Sequence, residues 1–138
     1  MTGLQLMQAM MTGKLPAPSI TRTIPMTMTQ AQFGAVNFEA HADENHLNPM
    51  GAVHGGVAAT ILDSATACAV HSALGDKESY ATIDLQIKMV RPLPMYETIY
   101  AEGKLQNMSK SIAISEAKLT NKAGKLLATA TCTCLIKR

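Results

Sequence analysis

Asn48-Pro49-Met50-Gly51-Ala52-Val53-His54-Gly55-Gly56 runs without a break into Val57-Ala58-Ala59-Thr60-Ile61-Leu62-Asp63. Pro49 and the glycines at 51, 55 and 56 mark a shaped turn, and from Val57 to Leu74 the only formally charged residue is Asp63. A helix that is apolar nearly all round is a buried helix. An ionised carboxylate in such a place is costly without a partner, so Asp63 is expected to line a pocket or an interface. A helix starting at Gly55 or Gly56 also aims unpaired backbone N–H groups, and the positive end of its dipole, at whatever lies before it.

Elements on either side of this stretch set its context. Residues 3–11 place Leu4, Met7, Met10 and Met11 at helical spacing and end at Gly13 and the Pro16/Pro18 pair. Thr and Ile recur from Ser19 to Met28, and Gln32–Ala42 reads as a second strand, which predicts a hairpin turning near Thr29–Gln30. Beyond the helix, Tyr80–Val90 alternates, with Ala81, Ile83, Leu85, Ile87 and Met89 on one side and Thr82, Asp84, Gln86 and Lys88 on the other. This pattern predicts a strand with one buried face. Strands over Thr98–Gln106, Ile112–Thr120 and Lys125–Ile136 follow, and short loops make the last four strands expected antiparallel neighbours. The sum is one α+β domain over residues 1–138, with about six strands that can wrap a single long helix. Its sheet edges would be hidden if two copies joined edge to edge.

Composition narrows the function classes. Twelve basic and ten acidic residues give a net charge of +2 with no basic run, which argues against a nucleic-acid binder held by a basic face. Aromatic content is 4 % without Trp, too little for base-stacking platforms, whereas ten Met suit an adaptable apolar lining. Cys132 and Cys134 fall on the same face of a strand, and with Cys68 make an odd number, so small packing thiols in a reducing compartment are expected. No Lys or Arg precedes Lys14, which gives no sign of a secretory signal, and the protein is expected in the cytoplasm. Val57–Leu74 has the length of a membrane span, but Asp63, His71 and several Ser and Thr favour a buried helix and no membrane role. His71, near the helix C-terminus, reads as a residue favourable to the dipole. His41, Asp43, Glu44, His46 and His54 match no tight metal-ligand spacing, and Gly-x-Ser-x-Gly is missing.

Asn48-Pro49-x-Gly51-x-x-His54-Gly55-Gly56, with Asp63 nine residues after the His in a small-residue helix, resembles the hotdog-fold acyl-CoA thioesterases of the phenylacetate-pathway type. The likeness extends over most of the chain, including Thr82 and the Val90-Arg91-Pro92 step. It implies an antiparallel sheet wrapped around one long central helix. It also implies that Asn48 orients the attacking water or the thioester, that the Gly55 N–H holds the carbonyl oxygen, and that His54 sits beside that carbonyl or the leaving thiol. Asp63, supplied by the second subunit's helix, is implied as nucleophile or general base, with Thr82 of the same chain assisting. Arg91, Pro92, Asn107, Ser109, Lys110 and Ser111 are the positions the resemblance gives to coenzyme A, which enters as part of the substrate and not as a cofactor. A homodimer, paired into a homotetramer, is the expected assembly.

The chemistry is coherent apart from the likeness. Thioester hydrolysis needs a polarised carbonyl, and one helix-terminal donor aimed at the developing oxyanion is worth ~2.7–4 kcal/mol of barrier. It also needs an activated attacker, which a carboxylate in low-dielectric surroundings can supply as base or nucleophile. A non-catalytic module that binds acyl-CoA as a regulator is the alternative, although binding alone does not need a carboxylate in this position.

Overall fold

The computed structural model describes residues 1–138. In chain order it contains α1 (Gly3–Met11), β1 (Met26–Gln32), β2 (Ala35–Ala40), α2 (Gly55–His71), β3 (Ser79–Met89), β4 (Ile99–Met108), β5 (Ile112–Thr120) and β6 (Leu126–Lys137). All six strands form one antiparallel sheet in the order β1-β2-β4-β5-β6-β3, and α2 lies across it, touching β2 through β6. This is the expected hotdog arrangement. No helix is long and apolar enough to cross a membrane.

Small residues let α2 come down onto the sheet. Ala58, Ile61, Leu62, Ala65 and Ala69 are buried against Val36, Ile99, Ala101, Leu119 and Leu127 in one core. At Gly103 of β4 the approach is backbone on backbone: a Cβ there would lie 2.1 Å from the Ala65 carbonyl oxygen. Ser115 of β5 donates to the Thr66 carbonyl at 2.9 Å in the buried layer. The first helix, capped by a reciprocal Thr2–Gln5 box, meets the far end of α2 at Gly3, whose N–H donates to the Leu74 carbonyl.

Four expectations are corrected. The hairpin turns at Phe33-Gly34 and not at Thr29–Gln30, because Gly34 takes the left-handed φ of +76° and Thr29 is absorbed as an irregularity within β1; Ser19–Arg22 is a short 3-10 turn. The last four strands are not consecutive neighbours. From β3 the chain crosses through Arg91-Pro92-Leu93-Pro94, a segment whose prolines cannot donate ladder bonds, so β4 pairs with β2 and β5 while β3 lies beyond β6 at the sheet edge. Finally, β3 does not bury one apolar face in the single chain. Ile83 and Met89 are 59 % and 57 % exposed, and Leu85 and Ile87 are half-buried, because β3 has a free edge.

A bulge in β3 also overturns the alternation read from sequence. Its pairing with β6 steps from Thr82↔Cys134 to Asp84↔Thr133, leaving Ile83 unpaired. Before the bulge, Tyr80 and Thr82 face the helix side, where Thr82 meets the buried thiols of Cys132 and Cys134. After it, Leu85, Ile87 and Met89 take that side, and Gln86 and Lys88 face out beside Thr129 and Thr131. One extra residue therefore moves Thr82 to the α2 face.

Candidate active site

The turn before α2 is held by Asn48. Its side-chain Oδ1 accepts from the N–H groups of Met50 (2.9 Å) and Ala52 (3.2 Å), and its backbone N–H donates to the Ala52 carbonyl. Two backbone donors fix the amide's orientation, so its Nδ2 group is left as the donor that can meet a ligand. At the end of the turn His54 caps the helix: its Nδ1 accepts from the Gly56 N–H at 2.7 Å, and its carbonyl accepts from Val57. With Nδ1 as acceptor, the neutral ring carries its proton on the exposed Nε2. Both next donors are thus occupied, and the Gly55 N–H is the first of the helix without an acceptor in the chain.

Gly55 is also the point of closest approach. A Cβ there would lie 2.9 Å from the methyl and 3.0 Å from the sulfur of Met89, so the end of β3 packs directly on the helix N-terminus. Asn48, Gly55, Met89, Arg91, Pro92 and Leu93 line one cleft of about 350 Å³ at this end. Arg91 is fixed there by donating to the Leu126 carbonyl at 2.7 Å.

Asp63 belongs elsewhere in the chain. It is exposed on α2, its carboxylate has no hydrogen-bond partner, and Thr60 and Thr66 bond backbone carbonyls instead. Neighbouring atoms on one flank still desolvate it enough to raise its pKa. Its charge is felt by Cys68, Tyr80 and Cys134, and Thr82 lies against Cys134 at 3.8 Å, so Asp63 and Thr82 share the region where α2 faces the first half of β3. Burial first, and then Asp63, push the Cys68 thiol up to about 12. Tyr80 packs against His71 with ring centroids 5.1 Å apart and ring planes tilted by 54°. His71 stands in the last turn of α2, as expected, and burial lowers its pKa.

The positions expected to meet coenzyme A are also divided. Arg91 and Pro92 stand beside Leu127 at the start of β6, whereas the Asn107–Ser111 turn stands at its end, with the Ser111 carbonyl accepting from Ile136 and the Lys110 and Ser109 carbonyls accepting from Arg138. Nine residues of β6 separate the two groups, about 30 Å at the usual strand rise. The candidate residues thus fall into two groups, one with Asn48, His54, Gly55, Arg91 and Pro92, the other with Asp63 and Thr82 near the end that carries Ser109, Lys110 and Ser111.

A model of the Thioesterase superfamily matches residues 50–128, more than half of the chain and the stretch that carries the helix N-terminus and Asp63. The chain belongs to the thioesterase superfamily. It is 32 % identical over 108 residues to human acyl-coenzyme A thioesterase 13, covering 75 % of this chain and 74 % of that protein. Among solved structures, a phenylacetic acid degradation-related protein from Ralstonia eutropha is 28 % identical, with a TM-score of 0.84 and coverage of 94 % of this chain and 98 % of the other. A hypothetical thioesterase from Streptococcus pneumoniae, solved with coenzyme A, shares the fold at 19 % identity and a TM-score of 0.75, covering 81 % of this chain and 88 % of its own. A thioesterase of this superfamily is a thioester hydrolase, and that is the activity the family gives this chain.

Sequence reasoning did not single out Met89 or Tyr80 for this thioesterase. Alternation placed Met89 among ordinary strand residues, and only the crossing of β3 over the start of α2 reveals it as a wall beside Gly55.

Proposed function

We propose that the protein hydrolyses acyl-CoA thioesters of medium-chain or aromatic acids at sites completed by two copies of the chain. The observation that carries this reading is the separation of the candidate residues into two groups at opposite ends of the free edge strand β3. Thr82 and Asp63 belong to one end of β3, Met89 and Gly55 to the other. When two β3 edges pair antiparallel about a two-fold axis, the first end of one strand meets the second end of the other. Such pairing also covers Ile83 and Met89 and satisfies the free edge.

In that arrangement the carbonyl oxygen lies against the Gly55 N–H, with the Nδ2 group of Asn48 orienting the thioester or the attacking water and the Nε2–H of His54 beside the carbonyl or leaving thiol. Asp63 of the other copy takes the water's proton as general base, or attacks directly, and Thr82 assists it. In either course the C–S bond breaks and coenzyme A leaves as the thiolate, which takes up the proton that water gives up; where Asp63 attacks directly, water then cleaves the acyl–Asp63 anhydride, and the acid is released. Arg91 and Pro92 from one copy, with Asn107, Ser109, Lys110 and Ser111 from the other, form the mouth for the nucleotide. The outward sheet face, where Lys88, Lys104 and Lys118 alternate with Glu102 and Glu116 around a shallow depression, is the surface on which two dimers form a tetramer. Three free cysteines fit a cytoplasmic setting.

The test is thiol release from aromatic and C2 to C16 aliphatic acyl-CoAs by the wild type and by Asp63→Asn of verified fold. The reading predicts release by the wild type and a loss of about three orders of magnitude or more in the variant. Tight binding without release from any member would make the protein an acyl-CoA-binding module instead.

A further inference from the structure

A second cleft, of about 330 Å³, opens between α1, the Ala17–Thr21 segment, β1 and α2. Met10 and Met11 of α1, Ile20, Met28 of β1 and Phe38 of β2 form its walls, and α2 contributes Ser64 and Cys68, one turn apart. Ser64 directly follows Asp63, so the cleft begins one residue from the proposed base. None of its lining residues is charged, in contrast to the cleft that holds Arg91. We infer that this cleft receives the acyl chain and selects straight medium-chain aliphatic acids over aromatic ones, an inference that rests on the thioesterase reading for its substrate.

Size, lining and chemistry agree on the occupant. A cavity of about 150 Å³ suffices to hold benzene, so this one has roughly twice the room a single ring needs. At about 30 Å³ for each water-sized unit displaced, it accommodates a chain of roughly ten carbons. Phe38 is the single aromatic residue in the lining, which leaves no pair of rings to clamp an aryl group. The methionines are unbranched and polarisable and can follow a flexible chain through its rotamers. Cys68, whose thiol is pushed up to about 12 by burial and then by Asp63, stays protonated and presents a small apolar surface to the chain.

Two variants change the cleft in opposite senses. Met11→Trp fills its rim and Met10→Ala opens it. The ratio of kcat/KM for C12-CoA to that for C4-CoA is predicted to fall at least tenfold in the first and to rise in the second, in proteins whose thermal unfolding confirms the fold. A separate measurement needs no variant: binding of S-alkyl-CoA thioethers to the wild type, with affinity rising about fourfold per added methylene and levelling near ten carbons. A wild type that hydrolyses acyl-CoAs with a flat chain-length profile, or prefers phenylacetyl-CoA to decanoyl-CoA, overturns the inference and leaves the thioesterase reading standing. A wild type that releases no thiol but binds the thioethers with the methylene dependence overturns the thioesterase reading and keeps the acyl cleft.

Discussion

Gly55 and Asp63 stand eight residues apart on the same helix, so about 12 Å of helix axis separates the free N–H of the first from the backbone of the second. An oxyanion donor and an attacking carboxylate must meet within a few ångströms of one carbonyl carbon. Within one chain these two do not, and in the arrangement proposed above each group instead faces its counterpart on a second copy.

Asp63 is held at a cost to the fold, and that cost gives a prediction. Its pKa is raised by desolvation, so folding favours the protonated form. The stabilising contribution is fully present below the ordinary carboxylate range and is lost as pH rises through the raised folded value. At neutral pH the ionised group therefore weakens the fold. Asp63→Asn is expected to unfold at a higher temperature than the wild type at pH 7.5, with the difference shrinking toward pH 4, while its activity is lost. Scanning calorimetry across that range checks the sign.

His54 has a structural duty that can be separated from the chemical one proposed for it. Replacing it with Ala removes the acceptor for the Gly56 N–H and should cost ~1 kcal/mol of stability, the usual worth of an N-cap. His54→Asn restores a side-chain acceptor at the cap. The Asn variant should recover most of the lost stability in urea unfolding and little of the lost kcat, since it lacks the Nε2–H.

Gly103 tests the seat of the helix. A Cβ at this position would fall 2.1 Å from the Ala65 carbonyl oxygen, a backbone atom that cannot swing aside. Gly103→Ala should destabilise by at least the ~1–3 kcal/mol typical of overpacking, read as a lower urea midpoint with an unchanged m-value.

Much of this was legible in the residues. The long helix announced itself through eighteen positions with one charge, and its starting turn through Pro49 and the glycines. Strand limits for β5 and the extent of α1 followed from local pattern. Pairing was the harder part. Nothing local says that β3 skips to the far edge of the sheet, because strand order is decided by which apolar faces can cover α2. Thr82 is the clearest case: strict alternation placed it with Asp84, Gln86 and Lys88, and the single unpaired residue Ile83 turns it to the other side. The hairpin is a smaller one, in which Gly34 outweighed the polar Thr29–Gln30 pair by offering a positive φ.

The most direct test of a shared site uses two inactive chains. Asn48→Asp keeps an oxygen to accept from Met50 and Ala52 but replaces the free NH₂ donor; Asp63→Asn removes the base. Each alone is expected to be inactive. Co-expressed in equal amounts under different affinity tags, they should regain about a quarter of wild-type activity, because half of the dimers are mixed and each mixed dimer carries one intact site. Mixed dimers recovered through both tags that show no activity would contradict the account and put both residues in a site within one chain.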